Sequence, residues 1–368
     1  MPKSHKLGAP NLVGRPPRSG EEVSAPPRQL SAYSTLTIMN GATSMSSCYR
    51  NAAGEIRLDL PLEDLAQALG EQDGLLWVDI LADGREGGEP LLRDVFGFHP
   101  LTIDDCYNTL IDPPKIDDYG AYLFVIIHNV LYDDETKRLT TNELNLYVGA
   151  NYVVSLHRSH VRAVDEVRRR AEAHSLVLDR GAAFLAHALF DVVVDDFHPI
   201  VERIDERIAM IEELVLVRPD REVLEEVLLL KRNAQRLKRS ILPQRDVANR
   251  FSRGEYGAII TSEALLYFRD VYDHTVRVEE MIESVRDLAD GTLNTYLSSV
   301  NNRINEVMKT LAVVTVIFLP LTLLAGIYGT NFENVPEYGV RFGYFGMLAA
   351  MGIIAAGLLA WFRWRRWF

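Results

Sequence analysis

Residues Thr310–Tyr328 read TLAVVTVIFLPLTLLAGIY, and residues Phe342–Phe362 read FGYFGMLAAMGIIAAGLLAWF. Neither stretch carries a charge. A helix rises ~1.5 Å per residue, so ~20 apolar residues cross a hydrocarbon core of ~30 Å. The two stretches are 19 and 21 residues long. Between them lies a polar loop, Gly329–Arg341, and the chain ends on Arg363-Trp364-Arg365-Arg366-Trp367-Phe368. The pattern predicts a two-helix membrane hairpin at the C-terminal end of a large soluble body.

The pattern that feeds the first span begins far upstream. Val278, Met281, Ile282, Val285, Leu288, Leu293, Leu297, Val300, Ile304, Val307, Met308 and Leu311 recur mostly at helical spacings. They predict one helix from near Thr261 through the first span, ~65 residues and ~100 Å long. No monomeric domain needs such a rod, so the expectation is a stalk bundled with copies of itself. Ahead of it, Ala182–Val217 reads as a long amphipathic helix that stops at Arg218-Pro219-Asp220. Arg221–Arg239 reads as a second helix running back along it.

Residues 32–157 mix the two periodicities. Leu36–Met39, Leu75–Ile80, Tyr122–Leu131, Glu143–Val148 and Tyr152–Leu156 are strand-like, and Leu60–Leu69 and Pro90–Val95 are helix-like. Asp133-Asp134-Glu135 reads as the turn of a hairpin. The fold class is therefore an α+β body followed by a stalk helix continuous with the first membrane span, and a second span. The divisions are 1–30, a disordered tail; 31–260, the body with its helical hairpin; and 261–309, the stalk. There follow 310–328, the first span; 329–341, the loop; 342–362, the second span; and 363–368, a basic end.

Composition excludes several function classes. The tail is rich in Pro, Gly, Ser and basic residues and has no apolar core of a signal peptide. Cys48 and Cys106 are the only cysteines and form no CxxC pair, which argues against a zinc finger or a disulfide framework. They suit a reducing compartment. The net charge of −12 disfavours nucleic acid as a partner and leaves cations as a natural one, although acidity also serves solubility. No Gly-rich phosphate loop and no His or Cys cluster suggests an enzyme.

Lys309 precedes the first span, and Arg363, Arg365 and Arg366 follow the second. The positive-inside rule places both flanks, the body and the termini in the cytoplasm, with the loop outside. Trp361, Trp364 and Trp367 fit an interfacial belt, and the uniformly apolar second span suits lipid contact. Along the stalk and first span, Asn294, Ser298, Asn301, Asn305, Met308, Ala312, Thr315, Leu319, Thr322 and Gly326 lie on one helix face leading to Gly329-Thr330. In a ring of copies this face lines a pore; alternatively its small residues serve helix packing. The span part of the stripe has no carboxylate. Amides, hydroxyls and carbonyls cannot strip Mg²⁺ cheaply but can bond to its water shell. Met308, Leu311 and Leu319 would be constrictions that gate by dewetting, and Pro320 bends the span.

Tyr328-Gly329-Thr330-Asn331-Phe332-Glu333-Asn334-Val335-Pro336-Glu337 resembles the outer loop of CorA-type divalent cation channels, whose signature is Gly-Met-Asn. Tyr267–His274, Tyr296–Asn302, Asn305–Lys309, Pro320–Thr322 and Phe98–Leu101 with Asp104-Asp105 and Pro114-Lys115 are similar to further motifs of that family, so the likeness runs over roughly 30–368. The resemblance implies a homopentamer in the inner membrane of a prokaryote. It implies influx of Mg²⁺, with Co²⁺ and Ni²⁺ accepted. Two charges crossing ~100 mV release roughly 4.6 kcal/mol, so no ATP is needed.

By the same resemblance Asn331 is the outer-mouth ligand, Gly329 allows close backbone approach, and Gly329-Thr330-Asn331 form the selectivity mouth. Asn305, Met308, Leu311, Thr315, Leu319 and Thr322 line the pore. Asp105 and Asp270 share an inhibitory metal between subunits, and Asp104 and Asp191 form an adjacent site. Read without the resemblance, these acids are surface charges and His274 is a helix-surface group. Lys309, Arg363, Arg365 and Arg366 form a basic belt at the inner mouth. The chain departs from the family at Thr330, which replaces the signature Met, and at Asn294, where many relatives carry an acid. A Gly-X-Asn variant occurs in the Zn²⁺-transporting branch, so a Zn²⁺ transporter is the alternative; a non-conducting, membrane-anchored metal sensor is another.

Overall fold

The computed structural model describes residues 43–173, 176–330 and 341–367. Seven strands form one sheet: β1 (Thr43–Arg50), β2 (Ile56–Leu58), β3 (Leu75–Ala82), β4 (Lys115–Asp118), β5 (Leu123–Asp133), β6 (Arg138–Val148) and β7 (Tyr152–His157). Their order is β2-β1-β3-β7-β6-β5-β4, with β3 and β7 parallel and the other pairs antiparallel. The middle of the sheet is covered on both faces, which explains why Leu75–Val78 and Leu123–Val130 are apolar or buried without alternation.

One face packs on α1 (Leu62–Gly70), α2 (Arg85–Pro90), the π-helical turn Leu91–Val95 and α3 (Pro100–Cys106). The other packs on α4 (Arg162–Ala173), α5 (Leu176–Asp179) and α6 (Ala182–Asp195). α7 (Phe197–Val217) and α8 (Arg221–Ser252) form the helical hairpin, and α9 (Ser262–Tyr328) is a single 67-residue helix. α10 (Gly343–Trp364) returns along its end. The three layers and the continuous stalk agree with the expected fold class.

Several expectations change. The expected helix Ala182–Val217 is two helices. Pro199 has no N–H to give the Asp195 carbonyl, so the ladder is interrupted around Asp196, whose carboxylate is held by Arg162. α8 runs past Arg239 to Ser252, through Pro243, because Ile241, Gln244, Val247, Ala248 and Phe251 still face the core. β1, β2 and β4 carry too few apolar residues to announce themselves, while the expected strand Leu36–Met39 lies outside the described residues. The hairpin turn follows Asp133, whose Oδ1 accepts the N–H groups of Glu135 and Thr136.

The stalk does not need copies of itself along its whole length. Val278, Ile282, Val285, Ala289 and Tyr296 pack with Ile204, Ile208, Ile211 and Val215 of α7 and Leu230, Leu237 and Ile241 of α8. From Asn301 to Tyr328 the face pattern ends, and among these residues Val313 alone is buried.

Candidate functional site: a polar helix face and an acidic cluster

The stripe expected along α9 is present as an exposed face. Asn294, Ser298, Asn301, Asn305, Met308, Ala312, Thr315, Leu319, Thr322 and Gly326 are all exposed in the single chain, as is Leu311. The hydroxyls share one arrangement. Ser298 donates to the Asn294 carbonyl at 2.9 Å, Thr315 to Leu311 at 2.8 Å and Thr322 to Phe318 at 2.9 Å. Thr330 donates to the Ile327 carbonyl at 2.7 Å. Ser298, Thr315 and Thr322 each spend their proton on their own helix, so their oxygen lone pairs can accept from a donor outside, such as the water shell of a cation. Pro320 supplies no N–H to the Val316 carbonyl, which adds another acceptor to the span.

The face ends at Gly329, where an added Cβ would lie 3.1 Å from the Ala325 carbonyl oxygen. Gly therefore lets the helix end tightly before Thr330. Asn331 lies outside the described residues. At the opposite end of the hairpin Lys309 Nζ stands 5.8 Å from the Trp367 ring centroid, and the Arg365 guanidinium 5.8 Å from that of Trp361. Phe362 is buried between Trp361 and Trp367, while Arg363 and Arg366 are exposed. The four basic residues thus sit at one end of the membrane hairpin.

The carboxylates expected to bind regulatory metal fall into two groups. Asp104 is ion-paired to Arg85 at 2.8 Å, and Asp105 to Lys115 at 2.6 Å. Within one chain Lys115 therefore holds the place beside Asp105 that a divalent ion would need. Behind it, Glu143 accepts the Asp112 N–H, and burial pushes its carboxyl up to about 7.

Asp191 and Asp270 belong to the second group. Asp191 and Asp195 are one turn apart on α6, and His274 comes from the adjoining face of α9. One ligand atom from each of the three lies within 4.8 Å of the others. His274 Nδ1 is 3.6 Å from Asp195, and its Nε2 is 3.7 Å from Asp270. Burial, then Asp195, raises the Asp191 pKa, so its charge wants a counter-ion. A set of two carboxylates and an imidazole can hold a divalent cation, and the nitrogen ligand suits Co²⁺, Ni²⁺ or Zn²⁺ better than Mg²⁺. One turn earlier His187 packs edge-on against Tyr267 and Phe268, and burial lowers its pKa to about 4.

The structure thus brings Asp191 together with Asp195, His274 and Asp270, and does not bring Asp105 to Asp270 or Asp104 to Asp191 inside one chain. Asp195 was missed in the sequence. Its signal was the i,i+4 spacing to Asp191, but acids at that spacing are common on solvated helices, and only the packing of α9 supplies the third ligand.

The sequence matches the family described as CorA-like Mg²⁺ transporter protein over residues 72–366. It is 36% identical over 292 residues to the cobalt/magnesium transport protein CorA of Thermotoga maritima, covering 79% of this chain and 83% of that protein. It is 24% identical over 277 residues to the divalent cation transporter CmaX of Pseudomonas aeruginosa, covering 75% and 82%. The fold superposes on the CorA magnesium transporter from Methanocaldococcus jannaschii with a TM-score of 0.74 at 22% identity, over 86% of this chain and 97% of that one.

Proposed function

Since the chain belongs to the CorA-like Mg²⁺ transporter family, we propose that this divalent-cation transporter is a gated channel for Mg²⁺ influx that also accepts Co²⁺ and Ni²⁺. The observation that carries the reading is the exposed face of α9, whose inward-donating hydroxyls leave lone pairs for hydrated cations. In this reading five copies surround the axis. Asn305, Met308, Leu311, Thr315, Leu319 and Thr322 line the pore, and Gly329-Thr330-Asn331 form the mouth. The body, both termini and the belt of Lys309, Arg363, Arg365 and Arg366 lie on the cytoplasmic side of the inner membrane.

Gating follows from the two acidic groups. A neighbouring subunit's Asp270 brought beside Asp105 would let a divalent ion take the place of Lys115, and Asp104 and Asp191 would meet across the same seam. Bound ions hold the closed ring, and their loss shifts the population toward open states. The Asp191–Asp195–His274 set gives the body a place to sense metal within each chain.

The imidazole in that set, together with Thr330 in the mouth, favours a second reading as a Zn²⁺ transporter. Flux into liposomes holding the purified protein decides. Mg²⁺ flux suppressed by Mg²⁺ on the body side supports the first reading. Zn²⁺ flux without Mg²⁺ flux supports the second. Absence of any flux, restored by Thr330→Met, makes the native chain a membrane-anchored sensor.

A further inference from the structure

The link from α3 to β4, residues 107–114, joins Asp104 and Asp105 to Lys115. One cross-strand pair holds it. His128 of β5 and Glu143 of β6 stand directly opposite one another, so their side chains leave the same face of the sheet. Both reach the main chain of Asp112. Its N–H donates to a Glu143 carboxylate oxygen, and its carbonyl accepts from His128 Nε2 at 2.7 Å. Beyond Asp112, Pro113 and Pro114 stiffen the backbone as far as Lys115, whose Nζ is taken up by Asp105 and Asp117. Nearer α3, Arg158 donates to the Asn108 carbonyl at 2.7 Å.

Two acceptors beside this clamp are unused. With its proton on Nε2, neutral His128 presents Nδ1 as a lone pair. That atom is buried without a hydrogen-bond partner among the described residues, and so are both ends of the Asn145 amide. His128 is 5% and Asn145 1% exposed. Asn145 lies two residues from Glu143 on β6, so it points to the same face. Buried acceptors without a donor are rare in folded chains. A carboxylate has no proton to offer them, whereas a carboxylic acid does. Glu143 therefore has two arrangements open to it: an anion that accepts from Asp112, and an acid that donates to His128 Nδ1 or Asn145 Oδ1.

The groups around Glu143 bring these two arrangements close in energy near neutrality. Burial raises its pKa to about 7 against the pull of the Asp112 N–H. The charges of Asp112 on the link and Asp105 on α3 favour the acid, and that of Arg158 beyond β7 favours the anion. Burial lowers the pKa of His128, which keeps its ring neutral and its Nδ1 free to accept. From α8, Gln244 meets only the His128 main chain, whose N–H it accepts at 2.8 Å. We infer that Glu143 is a proton-operated latch on the link between α3 and β4. As a carboxylate it pins Asp112; with one proton taken from solvent it turns to His128 and Asn145 and lets the link go. The strap that runs between Asp105 and Lys115 is thereby tightened or slackened by pH. The inference is independent of which ion passes.

Hydrogen–deuterium exchange of the metal-free, full-length protein in detergent tests it, followed in a peptide that covers residues 107–114 and corrected for the intrinsic pH dependence of amide exchange. With a pKa of about 7, the carboxylate fraction falls about tenfold from about pH 8 to about pH 6, and protection of the link should fall about tenfold with it. Glu143→Gln, whose amide stands in for the neutral acid, should show the low protection at both pH values, while peptides from α1 and β3 keep their native protection. Arg158→Gln keeps the carboxyl and removes a charge that favours its anion, so the midpoint should move to higher pH. Protection of the native link that does not change with pH overturns the latch, as does a pH dependence that survives in Glu143→Gln. A midpoint that stays or falls in Arg158→Gln assigns the titration to another group and also overturns it.

Discussion

The two halves of α9 belong to one uninterrupted helix and obey different rules. From Ser262 to Val300 a residue is buried every three or four positions, against α6, α7 and α8 of the same chain. From Asn301 to Tyr328 almost nothing is covered, although the residues are more apolar. In the first half, burial per residue follows the helical period and the polar positions carry ion pairs such as Lys238–Glu283 and Arg245–Glu279. In the second, past Lys309, apolar side chains cover most of the circumference and a narrow stripe with Thr315 and Thr322 is polar, as expected where most of the surrounding medium is itself apolar. Periodicity thus marks the half that folds on its own chain, and its loss marks the half that no other described part of the chain covers.

Substitutions that treat the halves alike would break this contrast. Phe268→Ala removes a fully buried ring stacked on Phe251 at 4.5 Å and should cost ~3–5 kcal/mol in denaturant unfolding of the body. His274→Ala should weaken Co²⁺ binding by about tenfold, ~1.4 kcal/mol, with little change for Mg²⁺, read by titration calorimetry. Equal losses for both ions would remove the imidazole from the ligand set.

Acid should loosen the packed half. The folded pKa of His187 is lowered to about 4 from 6.5, so the unfolded chain binds the proton first. Its contribution to stability is complete above pH ~6.5 and is lost as pH falls toward 4. His187→Phe, which keeps an edge-on ring against Tyr267 and Phe268, should flatten this part of the melting-temperature profile. Gly291 sits inside α9 with nothing within 4 Å of an added Cβ, so Gly291→Ala should stabilise by ~0.5–1 kcal/mol. In the bare half, Thr315→Val should leave the unfolding of the body within ~0.5 kcal/mol while altering Mg²⁺ flux.

What the sequence disclosed follows the same division. The packed half of α9 was legible because it repeats one period over many residues, and both spans and the central strands because each is a long or unbroken apolar run. The break at Asp196 was not, since Val192–Val194 and Phe197 keep the apolar pattern running while Pro199 acts on a single carbonyl. β1 was hidden because TSMSSCYR buries only Ser47, Cys48 and Tyr49, and its place is fixed by pairing with β3. The face Asn294–Gly326 was readable as helical spacing, whereas the union of Asp195 with His274 depends on how α6 and α9 cross. The role proposed for Asn331 rests only on its likeness to a family signature.

The continuity of α9 makes it a lever. At about 1.5 Å per residue its 67 residues measure about 100 Å. The body grips one arm through three other helices, and the other arm lies in the membrane. A rigid rod of this kind converts a tilt of a few degrees at the gripped end into a displacement of several ångströms at the far end. In the proposed gate, an ion bound beside Asp191 and His274 would therefore be felt at Gly329 with no message passed from residue to residue. Ser299→Gly together with Asn302→Gly would soften the lever without changing its register, and in the proposed channel should leave metal binding and flux each intact but uncoupled.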